Sequence, residues 1–196
     1  MARFLPLSLE TAREAFDDPE WLFEPKYDGF RALAFLYPDR VELISRSRRR
    51  LKRFARLERD LREVLSPRSG VLDGEVVVLD GSGRSRFKAL FSSRSVPAFV
   101  AFDLLELEGT DLRGLPLERR KAMLRKILPA EPGAVVYASH IEKHGLAFFE
   151  AACEQGLEGV VGKWKKGPYR EPTSWVKVQN PAYAEGRERR GKTRRR

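Results

Sequence analysis

Short apolar runs separated by charged turns dominate the chain, and their periodicity divides strands from helices. Trp21–Lys26 reads as a strand running into a glycine-containing loop. Arg31–Tyr37 and Val41–Ser45 are apolar and extended, and Pro38-Asp39-Arg40 between them predicts a hairpin. Phe54, Leu57, Leu61 and Val64 recur at helical spacing with charge on the opposite face. VLDGEVVVLD, residues 71–80, is strand-like and runs into the turn signal DGSG. Val96–Leu107 predicts a further strand, and Pro116 opens a basic amphipathic helix to about Ile127. Val135–Ser139, Gly159–Trp164 and Trp175–Val178 read as extended, and Leu146–Glu154 as helical. At the amino end, Ser8 is placed to cap a helix through about Phe16, with Glu10 and Glu14 near its positive end. Short strands mixed with interspersed helices predict an α+β fold with largely antiparallel sheets.

Composition narrows the picture. At 196 residues and 42% hydrophobic, the chain suits one domain with a real core. Lys and Arg total 38 against 28 Asp plus Glu, a net charge of +10 that favours a polyanionic partner such as nucleic acid. The single cysteine, Cys153, excludes an internal disulfide framework and a cysteine-rich zinc site. The amino terminus lacks the apolar core of a signal peptide, and no apolar run approaches a membrane span. A cytoplasmic monomer with no membrane partner is the expectation. From Ala184 onward the composition changes: Arg187, Arg189, Arg190, Lys192, Arg194, Arg195 and Arg196 face two acids, with no apolar anchor. Residues 184–196 are therefore expected to form a disordered basic tail that holds nucleic acid by charge.

Several familiar motifs fail. Gly162-Lys163 is followed by Trp164, and Leu157 stands where a phosphate loop needs its first glycine. His140 and His144 are four apart, but Glu142 sits in the wrong place for a helical zinc-protease motif, and no third ligand is evident. These histidines read as solvated or locally hydrogen-bonded.

Charged residues instead cluster beside glycine or at strand ends in EPKYDGFR (24–31), ISR (44–46), LDGE (72–75), EGVVGK (158–163) and WVK (175–177), with AFDLL (101–105) between them. Singly, each is an ordinary strand end or turn. Together and in this order they resemble the nucleotidyltransferase motifs of the ATP-dependent DNA ligases, above all the ligase domain of bacterial non-homologous end-joining ligases. The resemblance covers about residues 4–183. It implies a nucleotidyltransferase (ATP-grasp-like) domain over residues 1–183, made of two mainly antiparallel sheets flanked by helices, without the C-terminal OB-fold domain. It also implies that Lys26, in KYDGFR, attacks the α-phosphorus of ATP, and that AMP then passes to a DNA 5′-phosphate before the strand break is sealed. The ATP-binding residues that follow are Glu24, Lys26, Arg31, Arg46, Glu75, Phe102, Lys163 and Lys177. Glu75 and Glu158 are hard oxygen ligands suited to Mg²⁺ or Mn²⁺. Arg31, Lys163 and Lys177 gathered around Lys26 would favour its neutral amine and neutralise phosphate charge. Gly29 would let backbone approach the nucleotide.

Two departures bear on function. The last motif of the family usually reads Lys-x-Lys, whereas this chain has Lys177-Val178-Gln179. These 196 residues show no OB-fold segment, and the expectation is either a stand-alone catalytic domain or one that relies on a separate OB-fold protein or a Ku-like end-binding protein. DNA with nicks or ends is the expected substrate. The alternatives are an RNA ligase or capping-type nucleotidyltransferase, and a degenerate, non-catalytic nucleic-acid-binding module.

Overall fold

The computed structural model describes residues 4–65 and 68–183. In chain order the elements are β1 (Glu10–Thr11), β2 (Asp18–Pro25), β3 (Phe30–Leu36), β4 (Val41–Ser45), α1 (Ala55–Leu65), β5 (Gly70–Val77), β6 (Ala98–Leu107), β7 (Thr110–Asp111), α2 (Leu117–Ile127), β8 (Val135–Tyr137), β9 (Ile141–Lys143), α3 (Gly145–Glu154), β10 (Gly159–Trp164) and β11 (Trp175–Gln179). They form two sheets. One runs β1-β11-β10-β2-β9, the other β4-β3-β5-β6-β7 with β8 against β6. All pairings are antiparallel except β1 with β11 and β6 with β8. The α+β expectation with largely antiparallel sheets is met.

The period of two along the strands sorts side chains into two cores. On β3, Ala32, Ala34 and Leu36 face α1 and α2, together with Leu57, Leu61 and Leu124. Leu33 and Phe35 face the other sheet and pack with Val71, Val100 and Phe102 of their own sheet and with Leu22 and Trp175 across from them. Because the second sheet is covered on both faces, β5 and β6 read as continuous apolar runs instead of alternating ones. A smaller cluster of Ala152, Val160, Val178, Phe148 and Phe149 seats α3 against the first sheet. Among the described residues no helix is long and apolar enough to cross a membrane.

Two local expectations are corrected. Residues 8–16 do not form a helix. Glu10 and Thr11 pair with Val176 and Lys177 of β11, and the Ala12 amide donates to the Lys177 carbonyl at 3.1 Å. Ser8 is likewise drawn into tertiary contacts: its amide donates to Glu171 Oε1 at 2.9 Å, and its hydroxyl accepts from Arg46. An open sheet edge and a partner across the fold outweigh a weak local helix preference here. On α1 the buried stripe is Leu57, Leu61 and Leu65, while Val64 is 42% exposed. Glu58 is buried on the same face because it accepts from Arg50 and from the Leu43 amide at 2.9 Å.

Candidate active site

The site is built where the two sheets meet. Antiparallel register puts Glu24 (β2), Val161 (β10) and Lys177 (β11) in one row, and Leu22, Lys163 and Trp175 in the next. Cross-strand neighbours point to the same face. That face looks toward the second sheet, which supplies Arg31 from β3, Glu75 directly opposite it on β5, and Phe102 from β6. Lys26 follows the end of β2. Its amide donates to the Gly159 carbonyl at 2.9 Å, so the loop leaves the first sheet beside the start of β10.

Glu24, Lys26, Tyr27, Arg31, Glu75, Phe102, Lys163 and Trp175, with Leu9, Pro25 and Val161, line a half-open pocket between the sheets. Lys26 Nζ lies 2.6 Å from Glu158 Oε2. Arg31 makes a two-pronged contact with Asp73, Nε to Oδ1 and Nη2 to Oδ2, both at 2.6 Å, and its guanidinium stands 4.6 Å from the Phe102 ring centre. The Tyr169 hydroxyl donates to the same Asp73 at 2.6 Å. Glu24, 2% exposed, accepts from Lys163 at 2.6 Å on one oxygen and from Lys121 on the other. The Lys163 ammonium also lies 3.9 Å from the Trp175 ring centre and 4.3 Å from that of Phe102.

Burial and charge set the protonation of these groups. Burial works to raise the Glu24 carboxyl, but the Lys121 and Lys163 ammoniums outweigh it and hold it below the ordinary range. Burial pulls Lys163 down to about 8, against the attraction of Glu24 and with the repulsion of Lys121. Glu75 is pushed up to about 8, chiefly by burial, with Arg31 and Lys26 opposing and Glu158 adding to the rise. Tyr27 is pushed up to about 12 by burial and by Glu24. For Arg31, burial is overcome by Asp73, which holds the guanidinium charged above its usual value.

Most of the expected site residues converge, but not all in the expected way. Arg46 lies outside the pocket, on the exposed turn after β4, with Nη2 donating to Ser8 Oγ at 3.0 Å beside the lining residue Leu9. Lys177 shares the sheet face through register with Val161 but is not among the lining residues. The cations expected around Lys26 are engaged elsewhere, Arg31 by Asp73 and Lys163 by Glu24, and the close neighbour of Lys26 is the Glu158 carboxylate. Gly29 answers a different need from the one expected. A Cβ there would meet the Val76 carbonyl oxygen at 2.2 Å, so the glycine lets the loop lie against β5. Gly159, at φ +140°, combines a left-handed backbone with a Val178 carbonyl 2.1 Å from any added Cβ. His140 departs from its expectation as well: its Nδ1 is buried without a hydrogen-bond partner, and burial lowers its pKa. The tail residues 184–196 lie outside the described residues.

Lys121, Asp73 and Trp175 take part although sequence reasoning does not single them out as site residues. Trp175 carries a usable signal, two positions before Lys177 on one strand face. Lys121, inside LERRKAML, is indistinguishable in sequence from a solvated lysine on a basic helix. Metal chemistry fits the donor set. Two hard carboxylates are present, and one of them, Glu75, is raised by burial to about 8, where a nearby divalent cation would favour its charged form. Among the described residues no group of three or more His, Cys, Asp or Glu could hold a metal. One or two carboxylates completed by substrate phosphate oxygens is a common arrangement for Mg²⁺.

Comparison with known proteins points to one family. A family profile described as ATP dependent DNA ligase domain matches residues 1–179. The SPbeta prophage-derived DNA ligase-like protein LigB of Bacillus subtilis (strain 168) is 30% identical over 190 residues, covering 92% of this chain and 68% of that protein. The multifunctional non-homologous end joining protein LigD of Pseudomonas aeruginosa is 34% identical over 169 residues, 82% of this chain but 20% of that protein. The solved ligase domain of M. tuberculosis LigD is similar at a TM-score of 0.79 and 32% identity, over 89% of this chain and 59% of that one. A mycobacterial DNA ligase D complexed with ATP and MES gives a TM-score of 0.79 at 31% identity, over 89% and 60%. The chain thus spans a fifth of the LigD protein and about three-fifths of these solved chains. With the profile matching all but the last residues, and with relatives and solved ligase domains similar over most of its length, this chain belongs to the ATP-dependent DNA ligase domain family.

Proposed function

We propose that this chain carries the nucleotidyl-transfer step of DNA strand joining, with Lys26 as the nucleophile. The observation that carries the reading is the position of Lys26 Nζ, at a pocket assembled from both sheets and 2.6 Å from Glu158. The amine must lose a proton before attack, and the Glu158 carboxylate is an acceptor within reach. A nitrogen–phosphorus bond then forms at the α-phosphorus of ATP, and the bond to pyrophosphate breaks. Phe102 offers a flat apolar face for the base, and Lys163 and Arg31 stand by the pocket as cations for the phosphates. Glu75 and Glu158 would hold Mg²⁺ or Mn²⁺, which supplies charge neutralisation at the phosphates. AMP would next pass to a DNA 5′-phosphate, and the adjoining 3′-hydroxyl would displace it to close the break. The matched relatives named for non-homologous end joining support DNA repair by end joining as the setting.

Intact-mass analysis after incubation with the nucleotide and Mg²⁺ tests this. The protein should gain the mass of one AMP with ATP and nothing with GTP, and should seal nicked DNA in preference to nicked RNA. Absence of any adduct would sink the enzymatic reading.

Two further results are expected. Glu75→Ala and Glu158→Ala should each slow adenylation by about 10²-fold or more, while ATP binding measured without metal changes little. Normal rates in both variants would make the carboxylates structural. Deleting residues 184–196 removes seven basic side chains. The slope of log K for DNA against log salt should then flatten by about 0.9 for each phosphate that the tail no longer neutralises, with adenylation intact. Salt curves that superimpose would leave the tail without a role in binding.

A further inference from the structure

We propose that Lys121, on α2 and outside the pocket, is a positioning residue that keeps Glu24 neutralised so that Lys163 is free to engage the incoming nucleotide. This rests on the nucleotidyl-transfer reading above and adds to it a residue that does not touch the substrate.

The geometry is a three-membered buried cluster. Glu24, Lys121 and Lys163 are each about 2% exposed, and the two ammoniums occupy opposite oxygens of one carboxylate. Their settings differ. Lys163 lines the pocket between the Phe102 and Trp175 rings. Lys121 does not line it, and its Nζ is fixed from behind by the Ala138 carbonyl at 3.1 Å and by the Tyr137 ring at 4.6 Å.

One lysine would suffice to neutralise one buried carboxylate, so the second needs a reason. With Lys163 alone, pair and counter-charge would cancel, and moving Lys163 toward a phosphate would leave Glu24 buried and uncompensated, which is strongly unfavourable. With Lys121 held on the far side, Glu24 keeps a counter-ion whichever way Lys163 points. The trio carries a net single positive charge, and its movable member faces the pocket. An anionic ligand meets a cation that can leave Glu24 without stranding a buried charge.

The same arrangement sets the pH response of Lys163. The groups that face it are Glu24 from β2, Lys121 from α2 and Asp103 from β6, with His140 before β9 and, around Glu24 and Phe102, Tyr27 and Arg31. Burial lowers the pKa of Lys163 to about 8, Glu24 and Asp103 oppose this, and Lys121 adds to it. Above pH 8 the ammonium is lost, and ATP affinity should fall with it. Removing Lys121 takes away one repulsion and leaves Glu24 wholly to Lys163, so that fall should move to higher pH.

The test is adenylation kinetics for the wild-type chain, Lys121→Met and Lys121→Arg, across pH 6.5–10. In Lys121→Met we expect KM for ATP at pH 7.5 to rise about tenfold or more, with kcat within about threefold. The alkaline rise in KM should move up by about one pH unit or more. Lys121→Arg should restore most of the affinity and the wild-type pH position, because it returns the charge. If Lys121→Met lowers only kcat or the folded fraction, with the pH dependence of KM unmoved, Lys121 merely anchors α2 and the proposal is overturned. Should the methionine variant not fold, the arginine variant decides: a guanidinium at this place that fails to keep the wild-type pH position overturns it equally. A wild-type chain that forms no adenylate would instead refute the underlying enzymatic reading, an outcome distinct from either.

Discussion

Lys26→Ala and Lys26→Arg are both expected to abolish the covalent adenylate, leaving protein of unmodified mass after incubation with ATP and Mg²⁺. Alanine removes the attacking atom. Arginine retains the charge and the reach toward Glu158 but is never neutral at accessible pH, so it cannot attack phosphorus. This contrast separates a nucleophile from a cation that only holds phosphate, since the second role would survive arginine in part. The path of the loop should survive both changes. The backbone contact that fixes the loop, the Lys26 amide to the Gly159 carbonyl, does not depend on the side chain. The ion pair with Glu158 is largely buried, with side chains 19% and 13% exposed, so Lys26→Ala should cost stability that Lys26→Arg, which keeps the charge, does not. Thermal unfolding of Lys26→Arg should therefore track the wild type closely, and this variant decides the test if Lys26→Ala is destabilised. An adduct that survives Lys26→Ala, or that maps to another lysine by peptide mass, would remove Lys26 from the centre of the site.

Legibility in the sequence follows how locally each feature is determined. The β3–β4 hairpin can be read because the turn residues Pro38, Asp39 and Arg40 sit between two apolar runs, and the Tyr37 amide duly donates to the Arg40 carbonyl at 2.8 Å. The convergence of Glu24, Lys26, Arg31, Glu75, Phe102 and Lys163 can be anticipated because each belongs to an ordered set of motifs and all but Phe102, mid-strand in β6, stand at or near a strand end. Which charges end up buried is not written locally. Glu58, Asp73, Asp103, Arg120 and Lys121 are all inside the protein, yet their local sequence looks like that of solvated residues. Burial of a charge is decided by a partner that is distant in the chain, such as Arg31 for Asp73 or Glu24 for Lys121. Residues 8–16 mislead for a related reason, since their partner is β11, more than 160 positions away. The three-residue strand β9 and the two-residue strand β7 carry too few positions for any period to show.

Asp103→Ala is expected to be the most destabilising single change among the buried ion pairs. Asp103 belongs to the AFDLL motif, in which Phe102 faces the pocket, but Asp103 serves α2. Both of its oxygens accept from Arg120, at 2.8 and 2.7 Å, and Oδ1 also accepts from the Leu104 amide at 2.8 Å. Both partners are 0% exposed. Arg120 further donates to the Leu115 and Gly167 carbonyls at 2.5 and 3.1 Å, tying the start of α2 to the loop after β10. Removing the carboxylate leaves an uncompensated guanidinium in the interior, a loss of about 3–5 kcal/mol. For a domain of this size that corresponds to a fall in Tm of roughly 6–20 °C. It is also a large share of the ~5–15 kcal/mol that stabilises a typical domain. Replacing both partners by apolar residues, Asp103→Leu with Arg120→Met, should recover most of the loss, because no charge is then left buried. Yet the recovered protein should not recover full affinity for ATP. Lys121 follows Arg120 on α2, and the hydrogen bonds that Arg120 makes with Leu115 and Gly167 hold that end of the helix in place behind Glu24. Thermal denaturation of the wild type, Asp103→Ala and the double variant, beside ATP titration of adenylation, measures the two effects separately. A Tm shift below about 2 °C for Asp103→Ala would show that the pair is not what secures α2, and equal ATP affinity in the double variant would show that Lys121 needs no such support.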